Sequence, residues 1–300
     1  MIRPLAILAA LAALAGCTGF NRHATLAPNV SYVLGAPYRA GGVWHYPRQS
    51  FDDDETGLAS VTTRATGLTA DGELADPAAM AAAHPTLQLP AIARVTDLDT
   101  GLQVLVRVND RGPPLRGRVI ALTPRVMQLL GAAGQSAARV RVQVLDDESR
   151  LLASELDGAG APRLPVATAP TVAIASESLP PPPGTAQAPP RPLASAPQPQ
   201  HTVPVLAGPI PLRLPVTLTQ VPPRPGALYV EAGTFGGLQY AEMLRRRLAS
   251  LGAQTSTSYD APRDRAYRVR IGPLTSVAAA DAMLDRTLRA GIGDARIVAE

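Results

Sequence analysis

Four side chains have types and spacings that could move a proton on a substrate. They are Glu73 and Asp76 in Thr69-Ala70-Asp71-Gly72-Glu73-Leu74-Ala75-Asp76, His84 in Ala81-Ala82-Ala83-His84-Pro85-Thr86-Leu87, and Asp110 in Val108-Asn109-Asp110-Arg111-Gly112-Pro113. Carboxyl groups do general acid/base work when their surroundings separate their proton affinities. Composition removes the main rivals. The 300-residue chain has no lysine, so all 28 Lys+Arg positions are arginine, which excludes Schiff-base chemistry and a Ser-x-x-Lys nucleophile. A single cysteine excludes an internal disulfide framework and a Cys-rich zinc site. Of the four histidines, His23 and His201 lie in segments that read as flexible, and His45 and His84 lack metal-ligand spacing, so no metal and no cofactor is expected. Spacing alone leaves plain structural readings open. A Glu-x-x-Asp pair is common on solvated surfaces, a lone histidine is more often a satisfied structural residue, and Asn-Asp-Arg-Gly-Pro suits a turn after a strand.

The elements that must carry these residues are short strands. Leu102, Val104, Val106 and Val108 alternate with other residues, as do Val140, Val142 and Val144, and Asp97-Leu98-Asp99-Thr100-Gly101 is a turn before the first run. Thr123 as N-cap, Pro124 at the first helical position, apolar Val126, Met127, Leu129 and Leu130, and Gly131 near the end predict one helix. Many short strands with one or two small helices argue for a compact β-barrel.

Residues 158 to 225 hold 19 of the 31 prolines and no aromatic residue. Such a stretch cannot bury a core and predicts an extended linker, with a reach of roughly 200 Å at full extension. Beyond it the chain repeats itself. A strand ending Gly233-Thr234-Phe235 leads into a helix from about Gly237 to Leu251 and then Gly252; a strand ending Gly272-Pro273-Leu274 leads into a helix from about Ser276 to Ala290 and then Gly291. With strands near 253 to 259 and 294 to 298 this gives βαββαβ, a four-stranded sheet with two helices on one face and the other face open for a ligand. Strand alternation puts Val230, Val269 and Ile271 under the helices and Tyr229, Glu231, Arg268 and Arg270 on the open face.

The amino terminus has Arg3, an apolar run from Leu5 to Ala15, and Leu14-Ala15-Gly16-Cys17. The run is too short to span a bilayer as a helix and reads as an export signal. Its ending resembles the lipobox of bacterial lipoproteins, which implies that the mature chain begins at an acylated Cys17 and is anchored to a membrane. Thr18, in place of Asp, implies the outer membrane. The formal charge of +4 would suit nucleic acid, but an exported chain is not expected to meet any.

The run Thr-Ala-Asp-Gly-Glu, then Ala-Ala-His-Pro-Thr-Leu, Ala-Arg-Val-Thr-Asp-Leu, Val-Arg-Val-Asn-Asp-Arg-Gly-Pro and Gly-Arg-Val-Ile resembles the rare lipoprotein A family of septal lytic transglycosylases. Tyr32-Val33-Leu34-Gly35-Ala36-Pro37-Tyr38 and Trp44-His45-Tyr46-Pro47 resemble the same family's N-terminal strand region. The C-terminal repeat, with Tyr229-Val230-Glu231-Ala232-Gly233 and Tyr267-Arg268-Val269-Arg270-Ile271-Gly272-Pro273, resembles the SPOR domain. The resemblance implies a mainly β double-psi β-barrel joined by a Pro-rich linker to a small α+β SPOR-like domain. The implied segments are a signal peptide over 1–16, an N-terminal extension over 17–56, the barrel over 57–148, the linker over 149–226 and the SPOR-like domain over 227–300. It also implies cleavage of the bond between N-acetylmuramic acid and N-acetylglucosamine to 1,6-anhydro ends, on peptide-free glycan strands at the division septum. Glu73, Asp76, His84 and Asp110 are then the catalytic group, expected to converge on one groove, and Tyr229, Glu231, Arg268 and Arg270 bind glycan. A monomer is expected.

Two departures from the family stand in the sequence. Ala59-Ser60 is followed by Val61-Thr62-Thr63 where the family has Trp-Tyr-Gly, and Ala121 stands where it has Asp. Residues 52 to 228 contain no aromatic, so sugar stacking in the cleft would fall to Tyr32, Tyr38, Trp44, Tyr46 or Phe51. The alternative is a non-catalytic peptidoglycan-binding lipoprotein with a degenerate barrel.

Overall fold

The computed structural model describes residues 27–157, 213–261 and 264–300. The expected signal peptide, Cys17 and residues 158–212 of the proline-rich span lie outside the described residues.

A hairpin of β1 (Tyr38–Ala40) and β2 (Val43–His45) precedes six strands, β3 (Asp54–Val61), β4 (Ala81–Ala83), β5 (Ala91–Asp97), β6 (Leu102–Asp110), β7 (Arg118–Leu122) and β8 (Ala138–Val144). These six are hydrogen-bonded in the order β4-β7-β3-β8-β5-β6, and β6 pairs back onto β4, which closes the barrel. The β3–β7 and β4–β6 pairs are parallel and the others antiparallel, the crossed connectivity of a double-psi barrel. Closure removes the exposed edges that short strands would otherwise offer to other chains. Val106 and Val108 of β6, Ile92 and Val95 of β5, Ile120 and Leu122 of β7 and Val140 of β8 are buried in one core.

The predicted helix is α1 (Pro124–Leu129). Thr123 has extended backbone and its hydroxyl oxygen accepts from Val126 N, while the hydroxyl donates to Ala79 O at 2.7 Å. A second helix, α2 (Asp146–Asp157), runs into the span read as linker. It stays with the barrel because Ser149 accepts from Ile92 N at 3.0 Å and donates to Ile92 O at 3.2 Å, satisfying the backbone of β5, and because Leu152 is buried.

The far end of the same span also belongs to the barrel. Leu214 is buried in its core, and β9 (Leu218–Gln220) pairs with Leu102–Val104 of β6, the half of that strand which short β4 leaves unpaired. Val221 N and Arg224 N then donate to Gly101 O and Leu98 O, both at 2.9 Å. Residues 213–224 thus form a strap on the barrel, so both ends of the span read as linker, 149–226, carry structure that belongs to the barrel.

The C-terminal module follows the expected order: β10 (Leu228–Phe235), α3 (Leu238–Arg247), β11 (Ala253–Ala261), β12 (Asp264–Leu274), α4 (Val277–Arg289) and β13 (Arg296–Ala299). Its sheet is antiparallel in the order β11-β12-β10-β13. Val230, Val269 and Ile271 are buried as alternation predicts, against Ala241 of α3 and Ala280 and Leu284 of α4. The first helix stops at Arg247 and continues as a 3-10 turn over Ala249–Leu251, and Leu238 at its start is exposed.

The two modules pack directly on each other. Leu58 of β3 is fully buried and belongs to the C-terminal module's core. Glycines permit this approach: a Cβ on Gly57 would meet Ile297 O at 3.0 Å, and one on Gly117 would meet Leu284 Cδ2 at 2.6 Å. Gly117 also has φ +68, a conformation that other residues rarely adopt. Arg118 spans to Asp281 with both Nη atoms, at 2.6 and 3.0 Å.

Candidate active site

The loop from Thr69 to Glu73 is folded by its own side chains. The Thr69 hydroxyl donates to Asp71 Oδ1 at 2.7 Å, Glu73 N donates to Thr69 Oγ1 at 3.0 Å, and Thr69 N donates to Glu73 O at 2.8 Å. Asp71 N in turn donates to Asn109 O at 3.2 Å, which seats the loop on the end of β6. Alternation along β6 puts Arg107 and Asn109 on the face opposite Val106 and Val108. The result is a cavity of about 200 Å³ whose lining includes Glu73, Asp76 and Asp110.

Each of these carboxylates is held by a defined partner. Asn109 Nδ2 donates to Glu73 Oε2 at 2.6 Å, and the Arg107 guanidinium lies against Glu73 Oε1. Asp110 Oδ1 accepts from Ala70 N at 3.0 Å and Arg111 N at 2.9 Å, while its Oδ2 meets Arg64. Asp76 accepts from Ala78 N at 2.9 Å and pairs with Arg213 of the strap at 2.9 Å. Three arginines from three parts of the chain therefore face three carboxylates across one cavity.

Behind Glu73 lies Asp71, 1% exposed, with Arg107 Nη2 at 4.0 Å. Burial, and then the neighbouring Glu73 charge, push the Asp71 carboxyl up to about 6, against the pull of the Thr69 hydroxyl, the Glu73 N–H and Arg107. Arg107 is itself 1% exposed, and its Nη1 and Nη2 have no hydrogen-bond partner among the described residues. Its charge is balanced by proximity to Glu73 and Asp71 rather than by aligned hydrogen bonds.

His84 departs from the expected convergence. Its backbone N donates to Asp110 O at 3.0 Å, but its ring turns the other way. Nδ1 accepts from Thr86 N at 3.2 Å and Leu87 N at 3.1 Å, and Nε2 lies 2.8 Å from Glu55 Oε1. That ring lines a second cavity of about 560 Å³, between barrel and C-terminal module, with His45, Arg48, Asp53, Glu55 and Arg296. Of the four predicted residues the structure brings three together and puts His84 on the far wall.

Asp53, Glu55 and His84 are close enough to suggest a metal site. The histidine tautomer does not fit one. With Nδ1 accepting two backbone N–H groups, the ring proton sits on Nε2, the only nitrogen that faces the carboxylates, and a ligating nitrogen needs a free lone pair. Burial opposes ionisation of Glu55, but its hydrogen bond with His84 and the charges around it, Arg296 and Arg48 among them, hold its carboxyl below the usual range.

None of the aromatics considered for stacking lines the Glu73 cavity. Tyr38 stacks on His45 at 5.2 Å and donates to Pro85 O, and Phe51 lies buried under Arg150. Trp44 and Tyr46 are 56% and 63% exposed. The two departures from the family differ in effect. Ala121 is buried in β7 and does not itself line the cavity, whereas the segment after Val61 supplies Thr62 and Arg64 to its wall.

On the C-terminal sheet, Arg270 lies over the Tyr229 ring at 4.5 Å, and Arg268 and Arg270 both reach Glu300. Glu231 is buried and accepts from Arg296 at 2.9 Å. The face expected to be open is in part closed by the barrel. Glu231 and Arg268 share a cavity of about 440 Å³ with Asp54, Glu55 and Arg141, because packing on β3 turns the β13 side of the sheet towards it.

Sequence reasoning missed Asp71, Arg107, Arg64 and Arg213. Asp71 stood within the quoted run, and Arg107 stood in a valine-alternating strand, where a charged residue is itself a signal. Arg213 had none, because only tertiary packing of the strap brings it to Asp76.

A closed double-psi barrel with carboxylates on one cavity, followed by a packed βαββαβ module, defines a lytic-transglycosylase-type barrel joined to a glycan-binding-type sheet domain. Residues 54–143 match the family described as lytic transglycolase, and residues 225–298 match the SPOR domain. The endolytic peptidoglycan transglycosylase RlpA of Pseudomonas aeruginosa strain PAO1 is 33% identical over 276 residues, 90% of this chain and 78% of that one. RlpA of Escherichia coli K12 is 41% identical over 88 residues, 29% of this chain and 24% of its own. The probable RlpA of Nostoc sp. PCC 7120 is 45% identical over 93 residues, 30% of this chain and 25% of its own. This chain belongs to the RlpA family of endolytic peptidoglycan transglycosylases.

Proposed function

We propose that this protein cleaves the glycan backbone of peptidoglycan between N-acetylmuramic acid and N-acetylglucosamine, without water, leaving 1,6-anhydro ends. One observation carries the reading: Glu73, Asp76 and Asp110 share a cavity inside the span matched to the lytic transglycolase family. One of these carboxyls, protonated, gives its proton to the glycosidic oxygen as the C1–O bond breaks. As carboxylate it then takes the proton of the same sugar's 6-hydroxyl, whose oxygen closes on C1. The proton returns to the group it left, and the remaining carboxylates stabilise the positive charge that develops at C1. Asn109 and Arg107 hold Glu73 in place for either task.

The SPOR module serves to hold peptide-free strands through Tyr229, Arg268 and Arg270, with Glu231 committed to Arg296, and to concentrate the protein at the septum. Cys17, acylated after removal of residues 1–16, anchors it to the outer membrane facing the periplasm. A second reading, a non-catalytic glycan-binding lipoprotein, is favoured by the arginine on every cavity carboxylate and the aromatic-free lining.

The deciding experiment treats peptide-free glycan strands with purified chain lacking residues 1–17. Release of 1,6-anhydro products supports the enzyme, whereas co-sedimentation with sacculi and no released product supports the second reading. Loss of palmitate labelling in Cys17→Ala tests the anchor, and a fluorescent fusion lacking 227–300 that still gathers at midcell would count against septal targeting.

A further inference from the structure

The cavity's three arginines are committed to different degrees. Arg107 is wholly buried between Glu73 and Asp71. The Arg64 side chain is 45% exposed and tied to Asp110, a carboxylate also fixed by two backbone N–H groups. The Arg213 side chain is 78% exposed and its one ion pair among the described residues, with Asp76, is at the rim. An exposed pair of this kind is worth about 0–1 kcal/mol, so transferring the guanidinium to another anion costs little. Its backbone is nevertheless fixed, because Leu214 is buried in the barrel core and β9 is paired to β6. Arg213 is thus a cation on a short arm at the cavity mouth, supplied by a segment outside the barrel strands.

Charge balance points the same way. Counting buried Asp71, protonation of one carboxyl to act as acid leaves three guanidinium groups facing three carboxylates, and where that carboxyl is Asp76 the released Arg213 can take another anion in its place. We propose that Arg213 forms a subsite for the lactyl carboxylate of N-acetylmuramic acid, and so makes the barrel itself selective for glycan without stem peptides. That carboxylate is free only on a peptide-free muramic residue; where a stem peptide is attached the same carbon is an amide, uncharged and bulkier. A planar guanidinium distinguishes the two, because it makes paired charge-assisted hydrogen bonds to a carboxylate and not to an amide. The inference rests on the lytic transglycosylase reading and adds a discriminating group to it.

The test compares two substrates made from one preparation: peptide-free strands with free lactyl carboxylates, and the same strands converted to methylamides with carbodiimide and methylamine. The full chain lacking residues 1–17 should cleave the carboxylate form with kcat/KM about tenfold above the methylamide form, the size of one charge-assisted hydrogen bond. In Arg213→Gln that ratio should fall to about one, and Arg213→Lys should restore part of it, which a merely structural role for the strap would not do. Equal cleavage of both forms by the unsubstituted protein, or an unchanged ratio in Arg213→Gln, overturns the proposal. No anhydro product from either form would instead overturn the enzymatic reading on which it rests.

Discussion

Asn109 donates to Glu73 across 2.6 Å, from the end of a barrel strand to a loop thirty-six residues earlier in the chain. The bond takes up Oε2 and leaves the buried Oε1 against Arg107. Removing it leaves Glu73 chemically intact but free to rotate, and misplacement of a reacting group by a fraction of an ångström is expensive. Asn109→Ala should lower kcat about tenfold with little change in KM, measured by anhydro-product release. Among Glu73→Gln, Asp76→Asn and Asp110→Asn, the one lacking the acid should lose at least about a hundredfold. Full activity in all three would end the acid/base assignment.

Asp71 has a pH signature in stability. Its folded carboxyl, at about 6, binds a proton more tightly than the unfolded one at 3.8. Between those values the folded state holds more proton, so stability falls as pH rises through the window, and the penalty is complete above it. Asp71→Asn removes the penalty and should stabilise the protein by about 3 kcal/mol at pH 7 and by only about 0.5 kcal/mol near pH 4. Urea unfolding at the two pH values checks this; an equal gain at both would assign the effect to packing.

His84 is bonded as a keystone of the interdomain wall. Its ring satisfies two backbone N–H groups and a Glu55 carboxylate, so His84→Ala leaves buried polar groups unpaired and should cost about 2–3 kcal/mol by denaturant titration. Glu55 titrates in the opposite sense to Asp71. Its folded carboxyl is depressed, so its contribution is present above the unfolded carboxylate range and is lost as pH falls through the folded value. Glu55→Gln should flatten the acid limb of the stability curve.

The barrel, the helix at Thr123 and the βαββαβ repeat were legible because their signals are local: alternation, a capping residue with proline behind it, and glycines closing each helix. Glu73, Asp76 and Asp110 could be named, but their arginines could not all be, since an Arg213–Asp76 pair depends on how a strap returns after a proline-rich span. The direction of the His84 ring was likewise hidden. A strand position tells which neighbours share the backbone ladder, whereas the two N–H groups that turn this ring come from the loop that follows it. Docking of the two modules left only faint traces, glycines at 57 and 117 whose role shows only against the opposing Ile297 and Leu284.

That docking makes its own prediction through Arg118 and Asp281. The Arg118 side chain is nearly buried and the Asp281 side chain is 42% exposed, so the pair is partly desolvated on one side only. Its bidentate geometry favours a contribution at the upper end of the surface range, about 1 kcal/mol. Arg118→Ala, Asp281→Ala and the double variant form a cycle whose coupling energy should be about that size. The readout is amide hydrogen exchange at Leu58 and its neighbours in β3, which lie under the SPOR module and should exchange faster in each single variant, with no further increase in the double. Unchanged exchange at β3 in Asp281→Ala would mean that apolar contact of Leu58 with Ile297 and Leu284 holds the modules together without the ion pair.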